Sequence, residues 1–182
     1  MLITGYDVTV FVRDESKIPQ DLRSNVNVAV GDVLNYADVE RAVMGHDGVV
    51  IVLGTRNDLS PTTLLSEGTK NILSAMESYG IRRVTACISS FLFWDKARVP
   101  AQYHSITEDH EKMLQHLKDS NTDWTAVLPP HITDSPSRGT PPVISHDKGP
   151  GRTISKYDLG GFLVTTLAEE EHIGKVCGIC DA

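Results

Sequence analysis

Between Asp47 and Leu53 the chain reads Asp-Gly-Val-Val-Ile-Val-Leu, a nearly continuous apolar run rich in β-branched residues. Seven residues are too few for a buried helix, and the glycines near each end bound the run as a strand. A strand without polar alternation is covered on both faces, as in the middle of a parallel sheet. That one segment calls for helices packed on both sides of a sheet, and the rest of the chain has to supply them.

It does so in alternation. Asp7 to Arg13 (DVTVFVR) and Val26 to Val30 (VNVAV) read as strands, and Tyr36 to Met44 as a helix closed by Gly45. Thr62 to Tyr79 is a long amphipathic helix stopped by Gly80, followed by a strand over Arg83 to Ser89. Ile106 to Lys118 is helical and Trp124 to Leu128 is a strand; the segment PPHITDSPSRGTPP then reads as a long loop. A short pair near Val143 to Ser145 and Arg152 to Ser155 leads into a helix from Lys156 to Glu169, and His172 to Ile179 forms a last short strand. At the front, Met1 to Thr4 before Gly5 reads as the last turn of a helix. The expectation is one doubly wound α/β domain over residues 1–182, with parallel strands and right-handed crossovers.

Composition narrows the partners. With 40% hydrophobic and 23% charged residues the chain has the material for a buried core. A net charge of −7 leaves no basic footprint for nucleic acid or an anionic membrane. No apolar run approaches the roughly 20 residues that span a bilayer, and the opening MLITGYDV lacks the basic flank of a signal peptide. Three cysteines do not make a disulfide framework, so the expected compartment is the cytoplasm, with a monomer acting on small molecules.

In doubly wound sheets ligands bind beyond the carboxyl ends of the strands, so the residues just after each strand are the candidates. After the first strand stand Arg13 and, one turn on, Lys17: cations suited to a ribose 2′-phosphate, or a pair of solvated surface charges. After the second, Asp32 is placed either against an adenine amino group or as a cap on the helix that follows. Leu53-Gly54-Thr55-Arg56 brings backbone close to the crevice, or is an ordinary glycine loop. Ser89 ends a strand where its hydroxyl can meet a ligand or a local backbone group. His131 follows two stiffening prolines, Pro129 and Pro130, and is either a crevice residue or a structural one. Phe91, Phe93 and Trp94 offer an apolar wall for a flat conjugated molecule, or fold back onto the core. Arg152 suits a substrate carboxylate or phosphate.

Other chemistries find no support. No tyrosine has a lysine four residues on, so the Tyr-x-x-x-Lys dyad of most short-chain dehydrogenases is absent. Cys177 and Cys180 have redox-motif spacing but lack a following helix to activate a thiol. Spacing identifies no second cluster of soft ligands, so no metal is expected.

The segments GYDVTVFVRDESKIP, VAVGDVL, VIVLGTRNDLSPTT, EGTKNI, ACISSFLFWD, LPPHI and RTISKYDL, in this order from about Gly5 to about Leu159, resemble the biliverdin-IXβ reductase / NADPH-dependent flavin reductase family. The resemblance implies a Rossmann-type fold, NADPH as cofactor, and reduction of free flavins and of bilins lacking a propionate at the central methine bridge. By position it implies that Arg13 and Lys17 hold the 2′-phosphate and that Asp32 and Val33 contact the adenine. Leu53, Gly54, Thr55 and Arg56 would line the middle of the cofactor. Cys87, Ser89, Pro130, His131 and Ile132 would surround the nicotinamide, with Ser89 and His131 as the catalytic pair, and Trp94, His131 and Arg152 would border the substrate. Lys17 and Gln102 stand where the family usually has arginine.

The same resemblance implies a strand, a glycine-rich turn and a helix ahead of Gly5, of which only a helix tail is expected here. The chain is therefore expected to be an N-terminally truncated version of the fold, with the pyrophosphate cradle missing. Two functions follow: an NADPH-dependent flavin and bilin reductase, or a non-catalytic homologue that binds nucleotide, flavin or a protein without turnover.

Overall fold

The computed structural model describes residues 5–56 and 58–182. Strands β1 (Thr9–Val12), β2 (Asn27–Val30), β3 (Gly48–Ile51), β4 (Arg83–Cys87) and β5 (Asp123–Leu128) alternate with helices α1 (Gln20–Arg23), α2 (Tyr36–Val43), α3 (Leu64–Ser78) and α4 (His104–Asp119). Then come β6 (His131–Thr133), β7 (Val143–His146), β8 (Thr153–Ser155), α5 (Lys156–Thr165) and β9 (Lys175–Cys180). The helix tail expected over Met1 to Thr4 lies outside the described residues; Gly5 itself has φ 115°, a value open to glycine. Gly45 and Gly80 close α2 and α3 at φ 81° and 68°, as their positions in the sequence imply.

The main sheet has the order β3-β4-β5-β9-β7, with β3, β4, β5 and β9 parallel and β7 antiparallel at the edge. Alternate residues along each strand feed two separate cores. Ile51, Val84, Ala86, Ala126 and Leu128 face Leu65, Leu73 and Met76 of α3 and Met113 and Leu117 of α4. Cys87, Val127 and Ile179 face Leu159 and Leu163 of α5. Helices thus cover both faces. Buried threonines on the α5 side find partners: the Thr85 and Thr166 hydroxyls are 2.8 Å apart, and Thr125 donates to the His172 carbonyl at 3.0 Å.

Three local expectations are corrected. The Val-Val-Ile-Val run is not central: β3 pairs only with β4 among the described residues, and Val52 just beyond it is 65% exposed. An apolar run reports that a strand wants cover, and not which neighbours supply it. Second, the stretch after Pro130 contains a strand, β6, because it pairs in parallel with β8. Third, the segments around Val143 and Arg152 do not pair with each other; β7 joins β9 and β8 joins β6. These are pairings between distant segments, which local pattern does not encode.

β1 and β2 form their own parallel pair, with Thr9 opposite Asn27 through Val12 opposite Val30. β1 shares no ladder with β3 among the described residues. Two contacts fasten it instead: Phe11 packs on the α3–α4 core, and His46 Nε2 lies 2.8 Å from Thr9 Oγ1.

The start of α3 is held from outside. Asp109, buried in α4, accepts the Leu65 N–H at 2.9 Å and the Ser66 hydroxyl. A carboxylate there satisfies a backbone donor at the helix start and opposes the positive end of the helix dipole. Replacing Asp109 with Ala strands those donors, and we expect a loss of about 2–3 kcal/mol in urea unfolding at neutral pH. In β9, a Cβ on Gly178 would collide with the Lys148 carbonyl oxygen, a backbone atom. Gly178→Ala should therefore displace the loop before β8 and lower the thermal midpoint, whereas Ala at Gly160, where a Cβ meets nothing, should leave it close to wild type.

Candidate active site

The parallel register brings the ends of β3, β4 and β5 to one side of the sheet, with Ile51 level with Ala86 and Ala126. The residues singled out in the sequence follow these ends. At the β1 end Arg13 is exposed and makes no ion pair or side-chain hydrogen bond among the described residues. Next to it, Asp14 starts a 3-10 turn over Glu15–Lys17 by accepting the Ser16 N–H at 3.0 Å. The Ser16 hydroxyl and N–H, with Lys17 and Arg56 nearby, hold the Asp14 carboxyl below its usual range. Arg56, from the loop after β3, is thus near enough to the β1 end to act on the Asp14 charge. Its φ of 59° is left-handed, a conformation that a residue other than glycine adopts only under local constraint. Lys17 approaches Asp14 at 3.9 Å, an exposed pair of little energetic worth.

Asp32, after β2, spends one carboxylate oxygen on the Leu34 N–H at 2.9 Å. This is a local turn and not the cap considered in the sequence, since the helix that follows is capped by Asn35; the other Asp32 oxygen has no partner among the described residues. Val33 is a core residue, its carbonyl accepting from Asn71 at 2.9 Å. Val33 and Leu53 both rest on Gly68 of α3, where an added Cβ would lie 2.9 Å from Val33 and 3.0 Å from Leu53. That glycine lets α3 approach closely enough to floor the crevice. Gly54 faces open space and Thr55 turns its hydroxyl to the Asp58 carbonyl at 2.6 Å.

At the other end of the row, Ser89 accepts the Phe91 N–H at 3.3 Å and so begins the 3-10 turn Ser90–Phe93. Ser90 N–H in turn donates to the Pro129 carbonyl at 3.1 Å, which ties the β4 exit to the β5 exit. His131 and Arg152 are brought together by the β6–β8 pairing, the His131 N–H donating to the Arg152 carbonyl at 3.3 Å. Both side chains are exposed, as is Ile132, while Pro130 is half-buried. Cys87 lies in the α5-side core, and burial pushes its thiol up to about 12. It is a packing residue beside the crevice, protonated at neutral pH.

The aromatic segment divides. Phe93 and Leu92 pack against the core, as one of the two readings had it. Phe91 and Trp94 stack edge to face at 5.1 Å, and Trp94 remains 50% exposed. Tyr103, which the sequence reading passed over, completes the cluster with its ring 5.2 Å from that of Phe91. Its signal was there, an aromatic at the end of a proline-initiated turn, but the contact spans twelve residues. Two hollows of about 340 and 350 Å³ lie elsewhere, around Gly80 and Asn121 and around Pro61 and Asp109. Neither is lined by Arg13, Ser89, His131 or Arg152.

The residues present suit a dinucleotide at the two ends. Exposed Arg13 and Lys17 follow β1, and half-buried Ser89, exposed His131 and exposed Arg152 follow β4 to β7. The middle is different. A pyrophosphate favours free N–H groups at a helix start. Here α3 already has Asp109, and α2 has Asn35, whose side chain accepts the Ala37 N–H at 3.1 Å. The starts of α1 and α4 carry no side-chain cap.

The fold is a Rossmann-type α/β fold of the dinucleotide-binding kind. Residues 2–170 match the family of NAD(P)H-binding proteins, and the chain belongs to that family, with NAD(P)H as its cofactor. It is 31% identical over 80 residues to the N-acetyl-alpha-D-glucosaminyl-diphospho-ditrans,octacis-undecaprenol 4-epimerase of Escherichia coli O157:H7. That match takes in 41% of this chain but 24% of the epimerase. A Bacillus halodurans structure described as an NAD-dependent epimerase/dehydratase superposes with a TM-score of 0.83 at 21% identity, over 97% of this chain and 83% of that one. A wide-type short-chain dehydrogenase/reductase of Veillonella parvula in complex with NADP gives 0.74 at 17% identity, over 95% and 82%. The anaerobilin reductase ChuY of Escherichia coli O157:H7 gives 0.76 at 14%, over 96% and 84%. At these identities the likeness to the solved structures is one of fold. No helix of the described residues is long and apolar enough to cross a membrane.

Because burial raises the Cys87 thiol, the folded protein should leave it unalkylated by iodoacetamide at neutral pH and expose it in urea. Peptide mass mapping reads both states. Rapid alkylation of folded Cys87 would mean that its thiol is open to solvent and not a core group.

Proposed function

We propose that the chain is an NADPH-dependent reductase of flavins and of biliverdin-IXβ-type bilins. The observation that carries the reading is the pairing of two chemistries on one row of strand ends. Arg13 and Lys17 follow β1, with Arg56 near enough to act on Asp14, while Ser89 leads into the Phe91–Trp94–Tyr103 cluster after β4 and His131 pairs with Arg152 after β5. In this reading Arg13 and Lys17 hold the 2′-phosphate, and the open oxygen of Asp32 meets the adenine beside Val33. Leu53, Gly54, Thr55 and Arg56 line the middle, and Cys87, Pro130 and Ile132 wall the nicotinamide. When bound, the reduced nicotinamide supplies a hydride. Ser89 orients the acceptor by hydrogen bonding, and His131 positions it and passes a proton. Trp94 offers a flat apolar face to a conjugated ring and Arg152 a charge to its carboxylates or phosphate. The likeness in fold to an anaerobilin reductase supports the bilin class.

A second reading has its own observation. With the α2 and α3 starts already engaged by side chains, those two helices offer a pyrophosphate no free backbone cradle. Such a protein would bind nucleotide or flavin without turning over.

Calorimetric titration of NADPH against NADH, followed by a flavin-reduction assay, separates the two. The reductase reading expects NADPH preferred and flavin reduced. Arg13→Ala should remove most of the preference, about 1–3 kcal/mol for a charge-assisted contact. A preference that survives intact would take Arg13 out of the site, and binding without reduction would favour the second reading. Free flavin should also quench Trp94; quenching that persists in Trp94→Phe through the other tryptophan, Trp124, would move the acceptor elsewhere.

A further inference from the structure

Away from the cleft, three side chains from separate segments converge on one point at the β7 edge of the sheet. His146 ends β7 and lies directly opposite Cys177 of β9 in the antiparallel register. His172 comes from the turn before β9, its carbonyl fixed by the Thr125 hydroxyl at 3.0 Å and the Lys175 N–H at 3.1 Å. Its ring stands against Phe162 of α5 at 5.3 Å. His146 Nε2 is 3.1 Å from His172 Nδ1, and Cys177 Sγ is 3.7 Å from that same nitrogen. All three atoms lie within 4.8 Å of one another.

Hydrogen bonding alone does not satisfy this arrangement. A neutral imidazole has one nitrogen that donates and one that accepts, each through a single site. His172 Nε2 faces the Glu169 carboxylate at 3.7 Å, the orientation in which it carries the proton. Nδ1 then has one lone pair, approached by both His146 and Cys177. The two compete for it, in a place where Cys177 is 0% and His172 6% exposed. A cation at the centre would take all three lone pairs at once. The spacing suits it: tetrahedral zinc with bonds of about 2.0–2.1 Å to nitrogen and 2.3 Å to sulfur sets its ligand atoms roughly 3.3–3.7 Å apart.

We propose that His146, His172 and Cys177 bind one divalent transition-metal ion of the zinc class, with a fourth position open to solvent beside the exposed His146. Two imidazoles and a thiolate favour zinc over the hard, oxygen-seeking cations. On binding, the Cys177 thiol forms the sulfur–metal bond and its proton leaves to solvent. Glu169 holds the His172 ring in the tautomer that ligates, the usual outer partner of a metal-bound histidine. The ion would clamp β7 and the turn after α5 onto β9. The Cys177–Cys180 spacing does not contribute as a pair: residues three apart in a strand point to opposite faces, and Cys180 lies against Gly151.

Titrating the full reduced chain with cobalt(II) tests the site. One equivalent should produce a thiolate-to-cobalt charge-transfer band and the strong visible bands of tetrahedral cobalt, and zinc(II) should displace it. Cys177→Ser should abolish the charge-transfer band, while Cys180→Ser should keep it. His146→Ala, at an exposed position that does not threaten folding, should weaken binding by roughly tenfold or more, and Glu169→Gln by about 10- to 100-fold. The proposal is overturned if wild type shows no such band, if the band follows Cys180 and not Cys177, or if His146→Ala binds as tightly as wild type.

Discussion

The backbone ladder joining β3, β4, β5 and β9 is the constraint on which the remaining features rest. Its parallel register sets Ile51, Ala86, Ala126 and Val176 in one row and Cys87, Val127 and Cys177 in the next. Since side chains alternate along a strand, the first row belongs to the α3–α4 core and the second to the α5 face. Strands running the same way also end on the same side, so residues from widely spaced loops meet above one edge. A one-residue slip would exchange the two cores and break both, which is why burial on two faces pins the register so firmly.

That constraint explains what could be read from the sequence and what could not. Hydrophobic period and glycine stops act within a few residues, and they located every strand of the main sheet together with α2, α3, α4 and α5. The same local logic put Ser89 and His131 at strand exits. It failed wherever the decisive partner is remote. β6 exists because β8 lies beside it, α3 begins where Asp109 reaches it from forty-four residues away, and Tyr103 matters because Phe91 is next to it. The His146–His172–Cys177 cluster is the extreme case, three ligands with no motif spacing, assembled by one antiparallel pairing and one turn.

Charge is distributed so that anions meet side chains before backbone. The starts of α2 and α3 are already engaged by Asn35 and Asp109. Electrostatic attraction at the β1 end therefore comes from long, solvated side chains, Arg13, Lys17 and Arg56. Such contacts are individually weaker and more sensitive to salt than preorganised backbone donors. The left-handed backbone at Arg56 matters in this light, because it fixes the base of one of those side chains at a conformational cost. Any phosphate recognised here would be held chiefly at its terminal group.

The opposite end of the cleft is built more rigidly, and the reason lies at the far end of the chain. β8 is gripped by Asp181, which accepts the Ser155 N–H at 2.9 Å and the Thr153 hydroxyl at 3.1 Å, while its own N–H donates to the Thr153 carbonyl at 2.9 Å. Asp181 directly follows β9, so β8 is anchored to the main sheet through the strand that pairs with β5. β8 in turn holds β6, and β6 begins at His131. The position of that histidine is thus set through a chain of backbone pairings running from β5 through β9 and β8, and independently through the two prolines leaving β5. The backbone of that histidine is fixed twice over, although its side chain is exposed. In the proposed reading, the β1 end would hold the cofactor through solvated side chains, while the His131 end would rest on a fixed backbone.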